Sequence, residues 1–401
     1  DVAPSRGLGD VYKRQIYIRQ GMMKEKIIHI AVCSLLLFGL SGCSRGSGDE
    51  SLALQSSDPV LLELDIALPT RTDESGIPER EKVKELRLIM IDAKSGKVEY
   101  NKLFENPTPS ISKSDRYRYS YSVKIESTAG TKFLYALANA ESLIGNVVTE
   151  TLGAELMEGL EKFELTGEID SLNANGLIPI VSRRYEVQLG AQSSKGRAVS
   201  MQRVEIVMAY TATKFDFTFI NALSSNEDVN IVGWQIDKVA KKSYLVPHMD
   251  VDAWNMLINL GGTVDDDDWV TDYTVPRNTE YGGYSQTYPQ PLLLNYGETK
   301  EDLTTYCLHE SRYFGEFGSA TDQEYFFTLR IKPKGWDENN PPIILSGGKF
   351  PNLKSLVRGT HVVVQARLKN MPDKGDNTLE VRVKTWINDE PVNGSWEEIT
   401  Q

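Results

Sequence analysis

The segment LLELDIALPTRTDESGIPEREKVKELRLIMID, from Leu61 to Asp92, decides how the rest of the chain is organised. Its first part alternates between apolar and mostly polar side chains, which is typical of a β-strand with one buried face. Pro69 ends this pattern because proline cannot donate to a β-ladder. The apolar side chains of the strand are those of Leu62, Leu64, Ile66 and Leu68.

A polar linker rich in turn-forming residues follows the strand. It spans residues 70–81 and contains Arg71, Gly76 and Pro78. The apolar pattern then resumes from Leu86 to Ile91. We therefore predict a detachable first strand that a soft, arginine-bearing linker joins to the rest of the fold.

The body of the chain predicts a mostly β protein with few short helices. Its 401 residues exceed what one hydrophobic core usually serves, so we predict two tandem β-sandwich domains, residues 61–198 and 199–401. The polar segment AQSSKGRAVS, residues 191–200, marks the boundary. Residues 151–163 predict one helix, and residues 244–303 predict a long irregular stretch. Strands are predicted at residues 117–125, 132–139, 177–189, 215–219, 232–239, 325–331, 361–368 and 379–386.

The N-terminal region predicts an exported lipoprotein. Residues 1–21 precede the first methionine and fit no targeting class, so we exclude them as a non-native upstream segment. Residues 22–42 combine two lysines with an apolar run that ends in Leu-Ser-Gly, and Cys43 follows. This pattern is typical of a lipoprotein signal peptide, in which the thiol of Cys43 accepts the lipid. A membrane anchor is the alternative, but about 14 apolar residues are short for crossing a bilayer. Residues 43–60 predict a flexible tether.

The chain is acidic, with a formal net charge of −12. After removal of residues 1–42, which carry six basic and three acidic side chains, the net charge is −15. This charge disfavours nucleic acid as a partner. Cys307 is then the one free thiol, because Cys33 leaves with the signal peptide and Cys43 carries lipid, so we expect no intramolecular disulfide.

Motifs of catalysis or metal binding are not evident in the sequence. The histidines of the mature chain lack the spacing of zinc ligands, and no phosphate-binding glycine loop or nucleophile elbow occurs. Asp265 to Asp268 suggest calcium, but adjacent aspartates project in different directions, so a solvated loop is the better interpretation. Cys307 and His309 would share one face of a strand, without any sign of an oxyanion site. We therefore expect no enzymatic activity, no metal and no cofactor.

The order of the motifs along the chain is more specific than any one of them. After the lipobox at Cys43 and the strand that ends before Arg71 come KVKELRLIMID, KFLYALAN, RVEIVMAYTATKFDF, YLVP, CLHESRYF, RGTHVVVQARL and LEVRVKTW. Together, over Leu61 to Gln401, they resemble the fimbrillin family, the type V pilins of Bacteroidota.

This resemblance implies β-sandwich domains of transthyretin-like type and a structural subunit of surface fimbriae that supports cell adhesion. Members of the family reach the outer membrane as lipoproteins through the lipoprotein export machinery. An arginine-specific protease then removes an N-terminal strand, and a strand from the C-terminal region of a neighbouring fimbrial subunit fills the groove. Carried over to this chain, Cys43 is the lipid site, the cut falls between Arg71 and Thr72, and Ile387 to Gln401 is the donor segment. The apolar side chains assigned to the donor are Trp386, Val392, Trp396 and Ile399.

Three alternatives stay open at this point. Arg45 and Arg80 are other candidate cut sites. The polar character of the donor segment leaves open an accessory, tip or anchor subunit in place of a stalk subunit. A surface glycan-binding lipoprotein would share the signal peptide and the sandwiches, and Trp254, Trp269 and Tyr273 would then stack on sugars.

Overall fold

The computed structural model describes most of the chain beyond residue 58. Strands dominate it, and the predicted mostly β class is confirmed. The described residues fall within one compact unit, Leu54–Gln401. They are residues 59–68, 77–111, 117, 119–150, 153–167, 169, 176–190, 201–259, 270, 274–313, 325–337, 339–350, 353, 355–374 and 378–387.

The first eleven described strands include ten that build two main sheets around one hydrophobic core, while the seventh lies in neither sheet. They are β1 (Pro59–Ala67), β2 (Glu85–Asp92), β3 (Val98–Glu105), β4 (Ser110–Ile111), β5 (Tyr119–Thr128), β6 (Gly130–Ala138), β7 (Glu164–Thr166), β8 (Ile180–Val181), β9 (Tyr185–Leu189), β10 (Met201–Val207) and β11 (Ala209–Tyr210). The first sheet has the order β10-β1-β5-β4. The second has the order β11-β8-β6-β2-β3, with β9 also paired to β6.

The remaining ten described strands include nine that build a second pair of sheets around a second core, while the third of these ten lies outside both sheets. They are β12 (Ala212–Asn221), β13 (Val229–Ala240), β14 (Lys242–Tyr244), β15 (Tyr281–Leu294), β16 (Thr299–Glu301), β17 (Tyr306–His309), β18 (Phe326–Pro333), β19 (Ile343–Lys349), β20 (Thr360–Leu368) and β21 (Leu379–Ile387). The third sheet has the order β16-β12-β20-β21, with β17 also paired to β12. The fourth has the order β15-β13-β18-β19, and β14 pairs with β7.

The period-two phenylalanines of β12 make the second core. Phe215, Phe217 and Phe219 point to one face of the strand and are buried. The ring of Phe217 lies 4.3 Å from that of Trp234 and 5.6 Å from that of Phe327, measured between centroids. Alternating aromatic residues on facing sheets therefore interdigitate, as a sandwich core requires.

The described part of the chain includes the α-helices α1 (Glu141–Glu150), α2 (Ala154–Glu161) and α3 (Val251–Asn259). Short 3-10 turns lie at Glu79–Glu81 and Pro372–Lys374. The helix predicted at residues 151–163 overlaps α2, whose buried leucines join the first core. The second helix of that region, α1, was not predicted, because its glycine and its β-branched residues lower helix propensity. Its buried face carries Ile144 and Val148.

The irregular stretch predicted at residues 244–303 is wrong in three places, since it contains α3, the 14-residue strand β15 and the short strand β16. Pro289 and Pro291 hid the strand, because prolines usually exclude a segment from a sheet. β15 tolerates them because it is the edge strand of its sheet, and its register against β13 shifts across this part. The other predicted strands overlap strands of the structure.

The domain limits at residues 198 and 199 stay a prediction. β10 begins just after that limit and pairs in parallel with β1, from Leu61 opposite Met201 to Ala67 opposite Val207. The residues after the polar segment 191–200 therefore return to the first sheet before the chain enters the second pair of sheets.

Candidate functional site

The first strand is a central strand of the first sheet. On one side β1 runs antiparallel to β5, with Leu62 opposite Ile125, and on the other it runs parallel to β10, with Leu62 opposite Gln202. We call the space between β5 and β10 that β1 fills the β1 slot. Among the described residues, β10 has no ladder partner except β1. Loss of β1 therefore exposes two rows of backbone hydrogen-bonding groups.

One face of β1 is buried in the first core. The four side chains predicted for this face lie on it, and Val60 extends it by one position. None of the five is more than 3% exposed. Burial of five such side chains contributes on the order of 8–15 kcal/mol as an upper estimate. The five residues are Val60, Leu62, Leu64, Ile66 and Leu68.

The other face of β1 carries two carboxylates in unlike surroundings. Glu63 is buried, and its Oε2 accepts a hydrogen bond from Nε of Arg203, the residue opposite it on β10, at 2.6 Å. Asp65 lies opposite another acid, Glu205. Asp65 Oδ1 is buried and has no hydrogen-bond partner within the part of the chain that the structure describes. Like charges at adjacent positions repel, so the pairing of Asp65 with Glu205 weakens the binding of β1 to β10.

The end of β1 nearest the linker is covered on its outer face too. Ala67 is buried in a third cluster that includes Trp254 of α3 and Val207 of β10. Beyond Leu68 lies a depression of about 170 Å³ whose apolar walls include Val83 and Tyr121. The groove therefore continues past the last residue of β1.

The candidate cut sites differ in what the structure says of them. Arg71 and Thr72 lie outside the described residues, as does Arg45. Arg80 is half-buried in the 3-10 turn. Its guanidinium donates to the carbonyl of Thr305 at 3.1 Å, and its own carbonyl accepts from the amide of Ile178 at 2.8 Å. A protease needs an extended, accessible chain, so these contacts disfavour Arg80.

The predicted donor segment lies almost wholly outside the described residues. Val392, Trp396 and Ile399 belong to that part, as does the predicted lipid site Cys43. Trp386 lies in β21, the edge strand of the third sheet, where it is opposite His361 of β20. The backbone of Trp386 is thus paired within its own chain.

Of the three aromatic residues considered for sugar stacking, the structure describes Trp254. Trp254 is fully buried, and its Nε1 donates to the Tyr185 hydroxyl at 3.2 Å. It therefore cannot stack on a sugar. Trp269 and Tyr273 lie outside the described residues.

Cys307 and His309 serve packing and hydrogen bonding. Cys307 is buried in the first core. His309 Nε2 donates to the carbonyl of Gly167 at 2.6 Å, and its Nδ1 accepts from the Ser243 hydroxyl at 2.8 Å. Burial lowers the pKa of His309 to about 4, so the ring is neutral at pH 7. This histidine links β17 to β14 and to the end of β7.

Within the described part of the chain, no group of three or more His, Cys, Asp or Glu side chains could hold a metal ion. Asp250 caps α3, because its Oδ1 accepts from the amide of Ala253 at 2.8 Å. Asp265 to Asp268 lie outside the described residues. No helix among those described is long and apolar enough to span a membrane.

No protein-family model matches the sequence, and no curated protein matches it. Several solved structures are similar to the chain. The tip fimbrial protein Mfa3 of Porphyromonas gingivalis, with a C-terminal truncation, is 14% identical, with a TM-score of 0.45 over 82% of this chain and 99% of that one. A fimbrial assembly protein of Parabacteroides distasonis is 13% identical, with a TM-score of 0.44 over 82% and 95%. A fimbrilin of Porphyromonas gingivalis is 12% identical, with a TM-score of 0.44 over 84% and 99%. These proteins are of the class that the motif order resembles.

Proposed function

We propose that this chain is a structural subunit of surface fimbriae that assembles by protease-triggered strand replacement and supports cell adhesion. One observation carries the proposal: β1 is a central strand that fills an apolar groove, yet it is joined to the body only through the linker that contains Arg71. A strand in this position completes the first sheet of the uncut chain. Its removal leaves a groove that a strand from another subunit can fill.

The cut converts a covalent connection into a non-covalent one. Before cleavage, β1 occupies its own slot at a high effective concentration, because the linker tethers it. Cleavage after Arg71 removes that advantage and also separates the body from the lipid on Cys43. Thereafter a strand from another copy competes with β1 for the same ladders and the same apolar groove.

The incoming strand must meet the requirements that β1 meets. It must pair with both β5 and β10, and it must place apolar side chains at alternate positions. The donor proposed here is the segment that follows β21, in which Val392 and Trp396 share one face of an extended chain. Ile399 lies on the opposite face, so this segment fills the slot less completely than β1 does.

Proteolysis of the purified, lipid-free chain tests the proposal. A trypsin-like protease should yield a body that starts at Thr72 and then forms ladders on a gel. Arg71→Gln should block both events, whereas the matched change Arg80→Gln should leave them intact. Cleavage at another arginine, or cleavage after Arg71 without any assembly, would argue against a polymerising subunit.

Deletion of Val392 to Gln401 tests the donor separately. The shortened chain should fold and be cut like the full chain but form no ladders. If it still polymerises, the donor strand lies elsewhere in the sequence.

A further inference from the structure

A polar depression of about 320 Å³ opens on the surface. It lies where the end of α2 meets the loop between β8 and β9 and the loop that follows β14. This volume is at the small end of the range for ligand pockets, and it exceeds what a simple inorganic anion needs. The residues that line it are Glu161, Arg183, Arg184, Pro247, His248 and Met249.

Arg183 brings a positive charge to this pocket, and no carboxylate among the described residues forms an ion pair with it. Its guanidinium lies over the ring of Tyr185, 5.1 Å from the centroid. Its Nε is buried and has no hydrogen-bond partner among the residues that the structure describes. A buried donor left without an acceptor is costly. Because this Nε cannot be reached from the pocket, an anion there would bind the terminal nitrogens of the same guanidinium.

The single carboxylate of the pocket is already engaged. Oε1 of Glu161 accepts from the Tyr135 hydroxyl at 2.8 Å, and Nη1 of Arg184 approaches the same oxygen only to 3.6 Å. That contact is too long for a good hydrogen bond, so Glu161 is not a hydrogen-bond acceptor for the guanidinium of Arg184. Arg184 is also partly exposed, and its guanidinium lies over the ring of Phe133.

His248 fixes the opposite wall. Its ring stacks on Tyr244 with the centroids 3.9 Å apart, and its Nε2 donates to the main-chain carbonyl of Glu161 at 2.6 Å. Pro247 and Met249 flank it and give the pocket one apolar patch. The pocket thus presents two guanidinium groups, a fixed imidazole and a small apolar surface.

We propose that this pocket binds an acidic sugar, a single ring that carries a carboxylate or a sulfate group. The two guanidinium groups match the planar oxygens of such an anion. The polar walls suit ring hydroxyls, and the apolar patch suits the ring's own C–H face. The inference is independent of strand replacement, because none of the lining residues belongs to β1, β5 or β10.

Calorimetry on the full chain after removal of the signal peptide tests the proposal with five probes: glucuronate, glucose 6-sulfate, glucose, inorganic sulfate and N-acetylglutamate. Saturable binding of glucuronate or of the sulfated sugar is expected, with no binding of glucose. The sugar that binds reveals whether the anion is a carboxylate or a sulfate. Affinity should fall as salt rises, since charge drives recognition.

Two variants make the assignment specific. Arg183→Gln/Arg184→Gln should weaken binding at least tenfold, and Arg184→Gln alone, at a partly exposed side chain, should weaken it without disturbing the fold. Arg382→Gln on β21, which removes one charge as Arg184→Gln alone does, should leave binding unchanged. The proposal is overturned if no acidic sugar binds, if the double variant binds as well as wild type, or if inorganic sulfate or N-acetylglutamate binds as tightly as the sugars.

Discussion

At the scale of single residues, three motifs that are distant in sequence meet at Arg358. Its side chain is fully buried. Nε donates to Oε2 of Glu310 at 2.8 Å, and the two terminal nitrogens donate to the carbonyls of Leu245 and Tyr244. The motifs RGTH, CLHES and YLVP thus form one buried junction between elements of the two cores. The sequence showed each motif but not their contact, because more than 100 residues separate YLVP from RGTH.

Arg358→Met should destabilise the protein by about 3–5 kcal/mol, because it leaves the carboxylate of Glu310 buried without its partner. Urea unfolding measures the loss. In the double variant Arg358→Met/Glu310→Leu the buried charge is gone, so much of the stability should return. A loss below about 1 kcal/mol in the single variant would contradict the role of this ion pair.

His309 should make stability fall in mild acid. Burial lowers the pKa of His309 to about 4, below the unfolded value of about 6.5, so the unfolded chain binds this proton more readily. The contribution of His309 is complete above pH 6.5 and is lost as pH falls towards 4, by about 3 kcal/mol in total. The unfolding free energy of His309→Gln should depend less on pH across this window. Parallel curves for the two proteins would contradict the assignment.

Asp65 should weaken the binding of β1 to β10, because Asp65 lies opposite the acidic residue Glu205. Asp65→Asn removes the repulsion and should stabilise the uncut chain by about 0.5 kcal/mol, and it should slow the release of β1 after cleavage. Glu63→Gln is the matched control on the same face, and it should act in the opposite direction because it removes the ion pair with Arg203. Denaturant unfolding and the release rate of β1 measure both effects. Equal effects of the two variants would contradict this account.

At the scale of elements, the alternation of apolar and polar residues predicted the strands well. The strand β6 shows why the partners of its buried polar residue could not be predicted. KFLYALAN was predicted as a strand covered on both faces, and β6 is such a strand. Its one lysine, Lys132, is fully buried, with Nζ 2.7 Å from both Asp92 and Glu99. Burial raises the pKa of Asp92, but hydrogen bonds from Lys132 and Ser95 outweigh it and lower the pKa to about 2. A pattern of apolar residues cannot reveal such partners, because they come from other strands.

The candidate site was predictable only in part, because its partners also come from strands that are distant in sequence. The alternation from Leu62 to Leu68 identified the buried face of β1. It could not identify its neighbours, since pairing with β10 joins residues about 140 positions apart. It also treated Glu63 as a solvent-facing residue, whereas the pairing with Arg203 buries it. Only the sheet order shows that β1 is central.

Strand complementation should demonstrate that the slot is a binding site. A chain that starts at Thr72 lacks β1 and should be much less stable than the uncut chain. A synthetic peptide of residues 59–68 should bind it and restore stability, because it refills the groove and both ladders. The same peptide with Leu64→Asp should fail, since a charge would enter the core. Equal rescue by both peptides, in thermal unfolding, would contradict a specific slot.

At the scale of the whole molecule, the proposed function makes export, cleavage and growth depend on one strand. The proposed lipid site Cys43 and the strand β1 lie on the same side of Arg71 in the sequence. In the proposed function, one cut after Arg71 therefore releases the body from the membrane and opens the β1 slot. The net charge of −15 after removal of residues 1–42 opposes non-specific association, so we expect growth to depend on the specific strand.

The central claim is that β1 leaves and a strand from another copy takes its place. Mass spectrometry of fibres formed after cleavage, washed and then dissolved in denaturant, tests it most directly. The account predicts a single species that begins at Thr72, with no fragment that contains Pro59 to Ala67. Fibres that retain this fragment in equal amount with the body would contradict it, because the slot would still be filled by its own strand.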